Sequence, residues 1–485
     1  MTELPTDPSP PHTDGPESDA AALPVVTGRT NGATMASSIA DAIVADVIEQ
    51  GWPEGEVLGS EPELLERYGV SRAVFREAVR LVEHKEVASM RRGPGGGLIV
   101  TTPSVESVTD AVAVFLFYVG ADVEEVFEAR LVLEEVVTEL APSRLSEADV
   151  TELRELVVRE NEGAVHDYRE LHALLARFTH NPALEFFVDL LNRISTLFMN
   201  DPSRLGRGTI NASAHAHSAI AESVLAGDEG LARHRMRKHL EAEAEYLRRS
   251  ARTRIVLPHP ESRHKRGQRL AFAILAEIAD AGWPVGELLG SERSLMERYG
   301  VSRAVLREAV RVLEHHQVAR MRRGPGGGLF VARPGVAATT EAVALYLHRL
   351  SITPAQLFEV RIAIELAGLE RGVQRLGSDD VSALQAALDA ERSASADALR
   401  DLAHGVHAVL AEASGNRVLE LLALVLLQLT RIHQGPTPRR PFDPAEAADL
   451  ARVHERIVEA VVDGDLELAR LRMRRHLHAL ADFVA

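Results

Sequence analysis

Apolar residues recur at three- and four-residue intervals along most of the chain, and where that rhythm stops the sequence turns to Gly, Pro, Asn or Ser. Such spacing lays one apolar stripe along a helix. Ile39, Ile43, Val47 and Ile48 predict a helix from about Ala36 to Gln50, stopped by Gly51. Ser60 and Glu63 have the spacing of a capping box and open a second helix. Gly69 is placed to end it, and Ser71 to cap a third that runs to about Lys85. Short apolar runs on either side of a Pro-Gly-rich turn predict a hairpin next. From about Val108 to Arg249 the rhythm is helical throughout, with breaks near Gly120, Pro142-Ser143, Gly163, Asn181-Pro182 and across 200–208. Six or seven helices fit that span. Residues 1–33 show no apolar periodicity and are rich in Pro, Asp, Ser, Thr and Gly, the pattern of a disordered tail.

The whole pattern then occurs again. Residues 69–82 read GVSRAVFREAVRLV and residues 300–313, shifted by 231, read GVSRAVLREAVRVL. The turn sequence RRGPGGGL stands at Arg91–Leu98 and at Arg322–Leu329, and Gly51-Trp52-Pro53 returns as Gly282-Trp283-Pro284. A second helical region runs from about Val336 to Phe483, its loop around Gly435–Pro444 in the place of 200–208. Two short helices about a sharp turn, the second with arginines on its outward face, have the shape of a major-groove reader. The expected fold is mainly α: two winged helix-turn-helix domains, at 34–103 and 266–334, alternate with two all-helical bundles, at 104–249 and 335–485. The polar stretch 250–265 reads as a linker between the halves.

Composition narrows the class. A chain of 485 residues is too long for one ordinary domain, and 46% hydrophobic with only 4% aromatic residues favours helix bundles. The absence of cysteine excludes disulfides and thiolate metal sites. No apolar run reaches membrane-spanning length and no export signal opens the chain, so a cytoplasmic address and no membrane partner are expected. A net charge of −17 argues against non-specific coating of nucleic acid, yet arginines gather locally around both reader stretches. No HExxH, nucleophile elbow or positioned general base points to an enzyme.

On these repeated residues the chain resembles the GntR family of bacterial transcription regulators, in the FadR-like subfamily whose second domain is the helical, effector-binding FCD domain. The resemblance covers roughly 36–249 and again 266–485. It implies double-stranded operator DNA as partner, a small metabolite as effector, and two readers on a palindrome. Tandem duplication could supply that pair as an intramolecular pseudo-dimer, with or without a further homodimer. By family position Arg72, Arg76, Arg303 and Arg307 meet DNA, with Arg91, Arg92, Arg322 and Arg323 near the backbone or minor groove. Arginine suits this, since its fork meets a phosphate or a guanine edge with two hydrogen bonds. The family arginine of the Ser-Glu-Arg segment is Arg293 in the second reader, but its counterpart is Pro62. Unequal half-site affinities follow, by about 1.5–3 kcal/mol, the range for a charged hydrogen bond; equal binding of isolated half-sites by the two separated readers would refute this.

The helical regions carry a second repeated signal. His172 lies nine residues before Asn181, and His407 nine before Asn416; His217 and His239, like His454 and His476, are 22 apart. These six match the family's metal histidines, and three neutral imidazoles can bind a divalent transition metal such as Zn or Ni, up to one per effector domain. The family's fourth ligand, an Asp four residues before the first histidine, is here Tyr168 or Ala403, with Asp167, Asp401 and His404 nearby. Arg130 and Arg361 are each followed four residues later by a Glu, 134 or 365, and are expected either to receive an acidic effector or to form an intrahelical pair. Asn181 and Asn416 are expected to cap helices. The reading is a transcription regulator, a repressor by family analogy, controlled by a small organic acid bound directly or through a metal. The competing readings are an architectural DNA-binding protein with degenerate pockets and a metal-dependent hydrolase.

Overall fold

The computed structural model describes residues 35–93, 95–162, 169–198, 207–250, 266–394, 403–434 and 444–484. The expected tail, residues 251–265 of the linker, Gly163, residues 200–206 and 435–443 of the two loops, and Asp167, Tyr168 and Asp401 lie outside them. Among the described residues there are twenty helices and two three-stranded sheets, the mainly α fold that the periodicity predicts.

The first reader consists of α1 (Met35–Glu49), β1 (Val57–Gly59), α2 (Glu61–Tyr68), α3 (Arg72–His84), β2 (Ala88–Arg91) and β3 (Gly97–Val100). Its start and stop signals act as read. The Glu63 carboxylate accepts from the Ser60 N–H at 2.8 Å, Gly69 ends α2 in the left-handed region at φ 62°, and Ser71 accepts from the Val74 N–H at 3.4 Å. Pro62 falls in the first turn of α2, where a missing N–H costs no helical bond, and the helix forms. The three-residue β1 is too short for any periodicity to reveal. It pairs with β3, so the hairpin is the outer part of a sheet ordered β1-β3-β2. That pairing explains Gly97, on which a Cβ would stand 2.5 Å from the Gly59 carbonyl oxygen, while the tight hairpin turn itself explains Gly96, on which one would stand 2.3 Å from that of Arg91. In the second reader Gly328 and Gly327 meet the Gly290 and Arg322 oxygens in the same way, at 2.4 and 2.5 Å.

Behind the first reader stand α4 (Val105–Val119), α5 (Val123–Arg144), α6 (Glu147–Asn161), α7 (Glu170–Phe178), α8 (Pro182–Thr196), α9 (Arg207–Leu225) and α10 (Glu229–Ser250). The break expected at Pro142-Ser143 falls a few residues later, at Leu145-Ser146 between α5 and α6. Pro142 sits in the last turn of α5, where it removes only its own N–H bond, and the helix runs on to Arg144. The second half has α11 (Arg266–Asp280), β4 (Leu288–Gly290), α12 (Glu292–Tyr299), α13 (Arg303–His315), β5 (Ala319–Arg322) and β6 (Gly328–Val331). Its helical domain follows as α14 (Val336–Arg349), α15 (Pro354–Arg375), α16 (Ser378–Ser393), α17 (Gly405–Ala413), α18 (Arg417–Gln434), α19 (Pro444–Val462) and α20 (Leu466–Val484).

The two helical domains share one apolar core, in which α4 packs on α14 and α5 on α15. Asn181 and Asn416 cap α8 and α18 as expected, and they also reach across the seam. Each side-chain oxygen accepts two backbone N–H bonds, while each amide donates to the opposite half: Asn181 to the Gln356 oxygen at 2.8 Å, Asn416 to the Glu125 oxygen at 3.1 Å. The readers are seated crosswise. Leu345 of α14 completes the core of the first reader, and Val114 of α4 that of the second. Lys85 joins Glu341 at 2.6 Å and Arg349 joins Glu54 at 3.1 Å, while the Trp283 ring lies 5.0 Å from that of Tyr118. Each reader therefore leans on the first helix of the other half's bundle.

Candidate functional site

The exposed face of each reader comes first. Arg72, Arg76, Arg293, Arg303 and Arg307 are all exposed, as are the wing arginines Arg91, Arg92, Arg322 and Arg323. Arg72 and Arg76 both lean on Glu61, at 3.4 and 3.1 Å, and Arg303 leans on Glu292 at 3.3 Å. These exposed pairs are weak and hold the guanidinium groups without burying them. In the wings Arg91 donates to the Gly95 oxygen at 3.0 Å, and Arg322 lies over the Phe330 ring at 4.4 Å. Both capping serines bring the same four-residue arginine pair to the start of a reader helix.

The C-terminal ends of α3 and α13 meet, the His84 and His315 rings standing 5.4 Å apart. Burial, aided by His315, Arg320 and Lys85, pushes the His84 imidazole down to about 4, and burial with His315 and His84 pushes His316 down to about 3. Both stay neutral in the folded chain while an unfolded histidine takes a proton near pH 6.5. The unfolded state then binds more protons, so stability present above about pH 6.5 is lost as pH falls towards about 4. Urea midpoints should drop between about pH 7 and about pH 5, and His84→Gln with His316→Gln should flatten that slope; an unchanged slope would contradict it.

Each helical domain gathers its three histidines. His172, His217 and His239 come together from α7, α9 and α10, and His407, His454 and His476 from α17, α19 and α20, all six buried. In the first domain the His239 Nε2 lies 3.2 Å from the Nε2 of both His172 and His217. In the second, the His476 Nε2 lies 3.1 Å from that of His407 and 3.0 Å from that of His454. Carboxylates hold the far nitrogens: Glu134 takes the Nδ1 of His172, and Glu160 stands 2.9 Å from that of His217. Glu365 and Glu391 do the same for His407 and His454, the latter at 2.8 Å. A proton fixed on Nδ1 leaves the Nε2 lone pair facing inward, so lone pairs converge where a cation would relieve them. An ion about 2.0–2.1 Å from each nitrogen would set neighbouring ligands about 2.8–3.4 Å apart, from octahedral to tetrahedral. Burial holds His239 neutral, down at about 3, and lowers His407 and His476 as well. The residues fit a metal. His404 stands outside this cluster, its Nε2 buried without a hydrogen-bond partner, so it does not take the fourth ligand position.

Arg130 and Arg361 are buried beside the triads, and each makes the intrahelical pair that the sequence offers, Arg130 with Glu134 at 3.0 Å and Arg361 with Glu365. The same glutamates thus hold an arginine and a histidine at once. In the first domain Arg130 also binds Glu243 at 3.0 Å, and these groups line a cleft of about 910 Å³ with His172, His239 and Ser195. Glu160, Glu391 and Glu243 escaped the sequence reading. Glu160 and Glu391 are 231 residues apart, and Glu243 follows His239 by one helical turn, signals that position alone could have supplied.

Comparison with known proteins gives two matches per family. The bacterial regulatory proteins, gntR family, match residues 35–97 and 266–331, and the FCD domain matches 125–242 and 356–479. The Uxu operon regulator of Haemophilus influenzae is 28% identical over 153 residues, 30% of this chain and 55% of that protein, so the match spans about half that relative. An uncharacterized HTH-type transcriptional regulator of Mycobacterium tuberculosis is 32% identical over 167 residues, 34% of this chain and 67% of its own length. The HTH-type transcriptional regulator LutR of Bacillus subtilis is 28% identical, covering 41% of this chain and 92% of itself. Among solved structures, a Streptococcus agalactiae GntR protein aligns at 21% identity with a TM-score of 0.32, over 44% of this chain and 99% of that one. Among the described residues no helix is long and apolar enough to cross a membrane.

Proposed function

Because the chain belongs to the GntR family, a transcriptional regulator rather than an enzyme, with an FCD domain behind each of two winged helices, we propose that one chain fills both halves of a palindromic operator. The observation that carries this is the meeting of α3 and α13 at His84 and His315, with the arginines of both readers left exposed. Arg72, Arg76, Arg303 and Arg307 enter the major groove, and the wing arginines hold the flanking backbone. Two covalently joined readers avoid the concentration dependence of a dimer that must first assemble. The domain limits given above, 34–103, 104–249, 266–334 and 335–485, are the working units of this reading.

The helical domains act as the sensor. The two histidine triads would each hold one divalent transition metal, which when bound supplies a positive centre able to accept a carboxylate oxygen. Glu134, Glu160, Glu365 and Glu391 orient the imidazoles, and a buried arginine stands beside each centre to meet a small organic acid. The crosswise seating of the readers gives such an acid a path to DNA, since α4 and α14 belong to the sensors and complete the cores of the opposite readers. A ligand that favours one arrangement of these helices changes operator affinity by its differential binding energy. Release of DNA on acid binding, hence repression in its absence, is the direction we assign.

The test is the stoichiometry of the complex. Purified chain is titrated onto a single-palindrome duplex selected from random sequence, and the mass of the complex is measured by light scattering. One chain per duplex is expected. A requirement for two chains on one palindrome would sink the covalent-pair reading while leaving regulation intact.

A further inference from the structure

The two sensors share their histidines, their glutamate clamps and their buried arginine, but they differ at the arginine itself. Arg130 is shared between two carboxylates: its Nε and Nη2 meet Glu134, its Nη1 meets Glu243 at 3.0 Å, and Ser195 stands 3.4 Å away. Glu243 lies one turn beyond His239, with its carboxylate 4.0 Å from the His239 Nε2. The residue one turn beyond His476 is Leu480, which carries no charge. Among the described residues Arg361 accordingly has Glu365 alone as a charged partner, with Thr430 at 3.2 Å in the place of Ser195. Its Nη2 is fully buried and makes no hydrogen bond. Beside it stands His404, also buried, with its Nε2 unpartnered; burial keeps its ring neutral, and the nearby Arg361 and Arg431 disfavour its charged form further. An arginine N–H and an imidazole nitrogen, the latter a donor in one tautomer and an acceptor in the other, cost about 1–3 kcal/mol each when left unmet in one buried place.

We propose that the sensors are not equivalent: the second domain holds a site for a small carboxylate on the Arg361 Nη2, with His404 in its Nε2-protonated tautomer as second donor, while in the first the Glu243 carboxylate already occupies the arginine as a built-in ligand. This rests on the acid-sensing reading given above and assigns the response to one half. An acid entering the first domain would add a third carboxylate to one guanidinium, against the repulsion of the other two. An acid entering the second meets a guanidinium with a free N–H and a single counter-charge. The first domain is thereby fixed in a state resembling the acid-bound one, and the second alone switches between states. By the crosswise seating, the reader governed through α14 is the first.

The experiment counts sites on the intact, metal-loaded chain. Acetate, L-lactate and citrate are titrated calorimetrically, with bound molecules per chain checked by native mass spectrometry. One carboxylate per chain is expected, and two in Glu243→Gln, which keeps the shape of the side chain and removes its charge. His404→Phe, which removes the second donor, should weaken the wild-type site about tenfold, the effect of losing one hydrogen bond to a charged group. Two equivalent sites in the wild-type chain, or one site in the first domain that His404→Phe leaves untouched, would overturn the inference and leave acid sensing standing. No binding of any of the three acids, with both metals present, would overturn the inference and the acid-sensing reading together.

Discussion

The Arg76→Ala/Arg307→Ala chain is expected to bind its operator about thirtyfold to twenty-thousandfold more weakly than the wild type. Each arginine sits on the exposed face of its reader helix, five residues beyond the capping serine at 71 or 302, so both half-sites lose the same contact. A good bidentate contact to guanine contributes about 1–3 kcal/mol, and two independent contacts add to about 2–6 kcal/mol. If the arginines meet phosphate instead, the loss is sequence-independent and the slope of log affinity against log salt falls by about 2. Folding should not change, because Arg76 touches only Glu61 in an exposed pair worth at most about 1 kcal/mol. Fluorescence anisotropy at several salt concentrations reads both quantities, with circular dichroism as the control for folding. A folded double variant with wild-type affinity would remove these residues from the interface.

Metal content is expected to fall from two ions per chain to one in either His239→Ala or His476→Ala, and to none when the two are combined. Each of these histidines is the one whose Nε2 lies within 3.2 Å of both partners in its triad, so its loss breaks the cluster rather than trimming it. The clamps give a graded effect: Glu160→Gln and Glu391→Gln keep the hydrogen bond but lose its charge, and should weaken metal binding about 10- to 100-fold. An ion held at a hundredfold excess over its dissociation constant adds about 2.7 kcal/mol to stability, so chelation should lower the thermal midpoint as well. Elemental analysis and a melting curve on the same samples decide it. Two ions retained in His239→Ala would exclude the triad as the site.

Local chemistry carried most of the fold into the sequence. The serine caps, the left-handed Gly69 and the apolar stripes act within a few residues of chain, so their spacing could be read directly, and duplication allowed each feature to be read twice. Even Gly97 and Gly328 of the wings, whose reason is a close approach to β1 and β4, were marked by their identical recurrence. Where a local rule was looser than it looked, as at Pro142, the helix ran on to Arg144 before the break came. The reader arginines and histidine triads were legible for the same reason, since each stands at a fixed place in a repeated local pattern.

What the sequence determined by itself is therefore two readers, two helical sensors, and in each the residues that bear charge or donate a lone pair. Tertiary structure alone decided which of those groups meet. Glu134 and Glu365, visible from the sequence as partners of an arginine, turned out to hold a histidine too; Glu160 and Glu391 became clamps only when α6 and α16 came beside α9 and α19. The crossing of each reader onto the other half's bundle depends on contacts such as Lys85 with Glu341, 256 residues apart, for which no periodicity leaves a trace. The difference between a satisfied Arg130 and an unsatisfied Arg361 rests on one glutamate, because in a buried place a charge is defined by what surrounds it rather than by where it stands in the chain.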